Sequence, residues 1–96
     1  MPYNLSLVLP CYNEEKNISI LCEEFLKLPF QDIQAELILV NNGSEDQTLK
    51  EIKEAIKNNT SKNVTIKLVN IEKNKGYGGG ITEGLKNASG EYIGWA

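Results

Sequence analysis

An α/β fold, with a parallel four-stranded sheet flanked by helices, is predicted for this chain by three observations. Four apolar runs, residues 5–10, 36–40, 64–70 and 91–96, alternate with amphipathic stretches in a β-α-β-α-β-α-β pattern. The first two runs are apolar on both faces, as central parallel strands are, whereas Val64-Thr65-Ile66-Lys67-Leu68 alternates, as an edge strand does. Right-handed crossovers between parallel strands then favour the order 3-2-1-4, a Rossmann-like sheet. In that order the loops after strands one, two and three converge near the switch point between strands one and four.

The elements follow in turn. The first helix starts near Asn13, carries Ile18, Leu21, Cys22, Phe25 and Leu26 on one face and Glu and Lys on the other, and stops before Pro29. A second starts at Ser44, where Ser44-Glu45-Asp46-Gln47 has capping-box spacing, and buries Leu49, Ile52 and Ile56. Residues 58–63 form a polar turn. The third helix starts within residues 78–80 and turns Ile81, Leu85 and Ala88 inward before stopping at Ser89-Gly90. The fourth run lies at a sheet edge, where an unpaired strand invites self-association.

Composition narrows the function. The 96 residues suit one small domain, burying roughly 60–65% of the surface its unfolded chain exposes. Ten basic and 13 acidic residues, net charge −3, leave no broad basic surface, which argues against nucleic acid or an anionic membrane as partner. Histidine and arginine are absent, so any phosphate would rest on lysine, backbone N–H groups or a metal. Cys11 and Cys22 lack CxxC spacing and a histidine to complete a zinc site, so they read as buried, reduced thiols in a cytoplasmic setting. Neither a signal peptide nor an apolar run of about 18 residues occurs.

Three motifs follow the first three strands. In Leu7-Val8-Leu9-Pro10-Cys11-Tyr12-Asn13-Glu14-Glu15 a buried strand delivers polar groups to the sheet edge where α/β proteins bind ligands. The same residues also fit an ordinary turn, with Pro10 as breaker and Asn13 as cap. Val40-Asn41-Asn42-Gly43-Ser44 places two amides at a strand end, or is a turn plus cap. Asn74-Lys75-Gly76-Tyr77-Gly78-Gly79-Gly80 carries four glycines in five residues, which let a backbone approach a ligand at a helix N-terminus, with Lys75 the nearest cation; a plain mobile loop is the alternative. It is neither the dinucleotide fingerprint nor a P-loop.

Together, Pro10-Cys11-Tyr12-Asn13-Glu14, Asn41-Asn42-Gly43-Ser44 with Asp46 and Thr48, Asn74-Lys75-Gly76 with its glycines, and Ala88-Ser89-Gly90-Glu91-Tyr92-Ile93 resemble the family 2 glycosyltransferases in order and spacing across the whole chain. The glycine segment and Glu83-Gly84-Leu85 are most similar to the branch with polyprenyl-phosphate (dolichol-phosphate type) sugar transferases. The resemblance implies a GT-A fold, with residues 1–96 as the N-terminal, nucleotide-sugar-binding half, cut before an Asp-x-Asp motif. It implies that Pro10, Tyr12 and Glu14 line the base and ribose, that Asn42 reads the base edge, that Lys75 lies near the diphosphate, and that Asn41 and Gly76 belong to the same nucleotide-binding set. No catalytic or metal-ligating residue is assigned within the chain. A divalent metal (Mg or Mn) is expected for the complete enzyme, with its ligands beyond residue 96, and any membrane contact through other parts of the parent. This half alone is expected to be inactive.

The family usually has Asp-Asp where this chain has Asn41-Asn42. A carboxylate suits the paired N1–H and N2–H donors of guanine, whereas an amide meets the uracil N3–H and a flanking carbonyl, so Asn42 points to UDP-sugars. The alternative function is a non-catalytic nucleotide-binding or interaction module of the same fold. A nicotinamide-dependent oxidoreductase fits poorly, since strand one lacks the glycine turn and strand two ends in asparagine.

Overall fold

The computed structural model describes residues 2–30 and 32–96. Its elements are β1 (Leu5–Cys11), α1 (Ile18–Leu26), β2 (Ala35–Asn42), α2 (Thr48–Asn58), β3 (Val64–Ile71), α3 (Gly76–Lys86) and β4 (Tyr92–Trp95). The strands pair in parallel in the order β3-β2-β1-β4, as the apolar pattern predicts. β2 is buried at every position, whereas β3 at the edge is buried only at Val64, Ile66 and Ile71, with Thr65 and Asn70 exposed.

Strand alternation gives the sheet two cores. On one face Cys11, Leu37, Leu39 and Ile66 pack under Ile18, Cys22 and Phe25 of α1 and Ile52 of α2. On the other, Val8, Ile38, Val40 and Ile71 lie under Ile81 of α3. Leu37, Ile38, Leu39 and Val40 are fully buried, each contributing about 1.5–3 kcal/mol of transfer free energy. α3 sits close because Gly84 presents no side chain: a Cβ there would stand 2.3 Å from Val8 Cγ1 and 2.9 Å from Val40 Cγ2. The thiols Cys11 and Cys22 are free and buried, and burial first, with Glu14 and Cys22 adding to it, pushes the Cys11 thiol up to about 12.

All three helices begin away from the predicted positions. α1 starts at Ile18 rather than near Asn13, whose φ of +51° is not helical. α2 starts at Thr48 rather than Ser44, and Ser44 makes no capping box. Its inward stripe is Thr48, Ile52 and Ala55, which leaves Ile56 37% exposed. α3 starts at Gly76, two residues before the predicted start, so the glycines form helix rather than an open loop.

Glu36 is the one charged residue of the β2 core and is fully buried beneath the α3–β4 connection. Its Oε2 accepts from the Ser6 hydroxyl at 2.6 Å, the Ser89 N–H at 2.7 Å and the Ser89 hydroxyl at 3.1 Å. Its Oε1 faces Lys67 Nζ at 2.6 Å, and Ser6 Oγ in turn accepts from the Gly90 N–H at 2.7 Å. One carboxylate thereby ties β1, β2, β3 and the entry to β4 together. At the sheet edge β4 leaves Tyr92, Ile93 and Trp95 exposed. No helix of the described residues is long and apolar enough to cross a membrane.

Candidate functional site

At the carboxyl edge of the sheet, the loops after β1 and β2 are bound to each other. Asn13 N–H donates to Ser44 Oγ (3.0 Å), Glu45 N–H to Asn13 Oδ1 (2.8 Å), Glu14 N–H to Thr48 Oγ1 (2.8 Å) and Glu15 N–H to Asp46 Oδ2 (3.3 Å). Asn13 tolerates its left-handed backbone, as asparagine does more readily than bulkier residues. Asp46 also accepts from the Thr48 N–H at 2.9 Å. Its desolvation is outweighed by these bonds from Thr48 and Glu15, which hold the carboxyl below its usual range. The short polar residues that read as two separate helix caps are one latch between two loops.

The latch borders a cleft of about 320 Å³ lined by Pro10, Tyr12, Glu14 and Asn42 together with Asn74 and Tyr77. Other concavities include a groove of about 270 Å³ between α1 and α2, one of about 490 Å³ along α2 and the preceding Asp46, and a largely apolar one of about 180 Å³ between the end of β1 and α1. The strand-end cleft is the better candidate because polar side chains at or just beyond the ends of three successive strands converge there. Four of the seven sequence-derived candidates meet in it. Asn74 and Tyr77 join them; both lie inside the glycine-rich motif, whose charge and composition single out only Lys75 and the glycines. Cys11 also lines the cleft, but its raised thiol pKa leaves it protonated at neutral pH.

The other three candidates lie around the cleft rather than in its lining. Asn41 is buried on the opposite face of β2, where its Nδ2 donates to Asn70 Oδ1 at 2.8 Å. Lys75 turns its ammonium onto Glu83 at 3.2 Å. With Lys86 on the same oxygen, Lys75 holds the Glu83 carboxyl below its ordinary range. Gly76 contributes its carbonyl, which accepts from Asn42 Nδ2 at 2.9 Å.

Asn42 also accepts from the Lys75 N–H through Oδ1 at 3.0 Å. A backbone donor and a backbone acceptor therefore fix which way round the amide stands, leaving one N–H and one lone pair over. Asn42→Asp keeps the bond from Lys75 but sets a carboxylate against the Gly76 carbonyl. The expected cost is about 1–2 kcal/mol in urea unfolding, with faster amide exchange at the start of α3. Unchanged exchange there would show that the turn does not depend on this amide.

The sequence pattern of Glycosyl transferase family 2 matches residues 6–96. The chain belongs to glycosyltransferase family 2. Among curated family 2 relatives, a poly-beta-1,6-N-acetyl-D-glucosamine synthase of Staphylococcus epidermidis is 35% identical over 89 residues, 93% of this chain and 20% of the relative. Human (Homo sapiens) dolichyl-phosphate beta-glucosyltransferase is 36% identical over 96 residues, 93% of this chain and 29% of the relative. The chain thus spans between a fifth and under a third of these relatives' length. Of solved structures, S. aureus TarS 1–349 in complex with UDP superposes with a TM-score of 0.80 at 31% identity, over 97% of this chain and 26% of that one. The fold, a parallel four-stranded α/β sheet in the order 3-2-1-4, matches that of GT-A glycosyltransferases. Among the described residues of this family 2 chain, no three Cys, Asp or Glu side chains converge where a cation could be held.

Proposed function

We propose that this chain forms the nucleotide-binding half of an enzyme that transfers a sugar from a nucleotide-diphosphate sugar, with UDP favoured, to an acceptor. The observation that carries the reading is the convergence of Pro10, Tyr12, Glu14 and Asn42 on one strand-end cleft in a family 2 chain. TarS structures holding UDP and UDP-GlcNAc, with 31% and 30% identity to this chain, support a uridine nucleotide. So does the fixed amide of Asn42, whose spare N–H and lone pair suit a uracil carbonyl and N3–H better than the paired donors of guanine. The latched loops hold these groups in place before the ligand arrives, which lowers the ordering cost of binding.

A divalent cation would neutralise the leaving diphosphate, and the described residues contain no group of three Cys, Asp or Glu side chains to hold one. The two buried free thiols support a cytoplasmic setting for the site.

The test is an amide NMR titration of the protein with UDP, GDP and NAD. UDP is expected to bind about tenfold or more tightly than GDP, the worth of one mismatched buried hydrogen bond, with shifts centred on residues 10–14, 42–44 and 74–77. Equal or tighter binding of GDP would remove the base preference. Binding of NAD without UDP would overturn the reading, and UDP binding without sugar transfer by the complete protein would select the non-catalytic module.

A further inference from the structure

Within the cleft just assigned to the donor nucleotide, one residue stands out for a reason unrelated to the motifs. Tyr77 opens α3, the helix that follows β3, while Tyr12 follows β1, so elements on either side of β2 deliver two tyrosines to a cleft that Asn42 also lines. Both rings are left to solvent, Tyr77 at 63% exposure and Tyr12 at 46%. Neither neighbour of Tyr77 in the chain, Gly76 or Gly78, has a side chain to lay over the ring. The rest of α3 turns its apolar side chains, Ile81 and Leu85, onto the sheet. An uncovered aromatic ring beside a cleft, flanked by glycines, is a surface suited to the flat face of another ring.

We infer that Tyr77 is a second aromatic contact for the nucleobase of the donor, opposing Tyr12, an inference that rests on the nucleotide reading above. Stacking is tolerant of base identity because every base has a π face. Tyr77 therefore supplies affinity, while Asn42 supplies the choice of base.

The experiment is a calorimetric titration of the full-length protein and its Tyr77→Ala and Tyr77→Phe variants with uridine, UDP, GDP, a UDP-sugar and inorganic diphosphate. Tyr77→Ala is expected to weaken uridine, UDP and GDP by a common factor of about ten, the usual worth of one base–aromatic stack, with the UDP-to-GDP ratio unchanged. Tyr77→Phe keeps the ring and is expected to bind as the parent does, and diphosphate affinity should not move. If the parent binds UDP and Tyr77→Ala binds it equally well, the inference is overturned. A loss confined to the UDP-sugar would also overturn it, placing the ring against the sugar instead. If the parent binds neither uridine nor UDP, the nucleotide reading itself falls and Tyr77 with it.

Discussion

Replacing Glu36 by alanine is expected to lower the unfolding free energy by about 3 kcal/mol, measured by urea denaturation. The carboxylate is fully buried and accepts from three donors of Ser6 and Ser89 besides facing Lys67. Alanine would strand the fully buried Ser6 hydroxyl; Ser89, which is exposed, and Lys67, 38% exposed, can turn to water, which keeps the figure at the lower end for a broken buried pair. Glu36→Gln keeps the volume and one acceptor oxygen, so about 1–2 kcal/mol is expected. The pH dependence separates the two roles. Burial alone would raise the Glu36 carboxyl, but Lys67, Ser6 and Ser89 together hold it below its ordinary range. A carboxyl depressed in the folded state contributes fully above its unfolded value, about 4.3, and loses that contribution as the pH falls through the folded value, because the unfolded chain binds the proton first. The parent should thus lose stability below about pH 4 more steeply than Glu36→Gln. Parallel pH profiles would show that the charge of Glu36 contributes nothing. Because Ser89 and Gly90 lead into β4, whose Tyr92 pairs with Leu5, β4 amides should exchange faster in the alanine variant.

The same residue shows where reading the chain stops. Burial on both faces of β2 and alternation along β3 are written in the residue types themselves, so the strand order could be derived before any coordinate. A glutamate beginning an apolar run carries no such mark. Its partners Ser6 and Ser89 lie 30 and 53 positions away, and only the fold brings them to it. Asn13 and Ser44 failed as helix caps for a related reason: capping rules assign a short polar side chain to the nearest helix, whereas these two bind each other across 31 positions. The phase of α2 follows from that latch. Thr48, held by Glu14 and Asp46, starts the helix, and Ile52 and Ala55 then face the core while Ile56 falls beyond it.

The cleft was legible to a similar depth. The resemblance to family 2 points to Pro10, Tyr12, Glu14 and Asn42, which lie at or just beyond strand ends and line one cavity. Lys75 is the nearest cation in sequence, but Glu83, two helical turns on, holds its ammonium. Nothing in the sequence marks the inward role of Asn42, half of whose hydrogen-bonding capacity is spent on the turn it helps to shape.

The second large effect is expected at Gly43, where Gly43→Ala should cost about 2–4 kcal/mol in thermal or urea unfolding. Its φ of +68° already disfavours any side chain, and a Cβ there would stand 2.3 Å from Asn74 N and 2.9 Å from Asn74 Cα. Backbone cannot rotate aside as a side-chain tip can. The β2–α2 loop is also fastened at this point, since the Gly43 N–H donates to the Ile71 carbonyl at 2.8 Å. Alanine must therefore push the β3–α3 loop away and break that bond, or twist β2 at its last residue. Either way Asn74 and Tyr77 move relative to Asn42, so UDP affinity should fall about tenfold or more along with stability. Gly78→Ala is the matched control: a Cβ there meets nothing within 4 Å, and its helical backbone should gain about 0.5–1 kcal/mol from the better helix former. If Gly43→Ala proved as harmless as Gly78→Ala, the close approach of the two loops would not be what shapes the cleft.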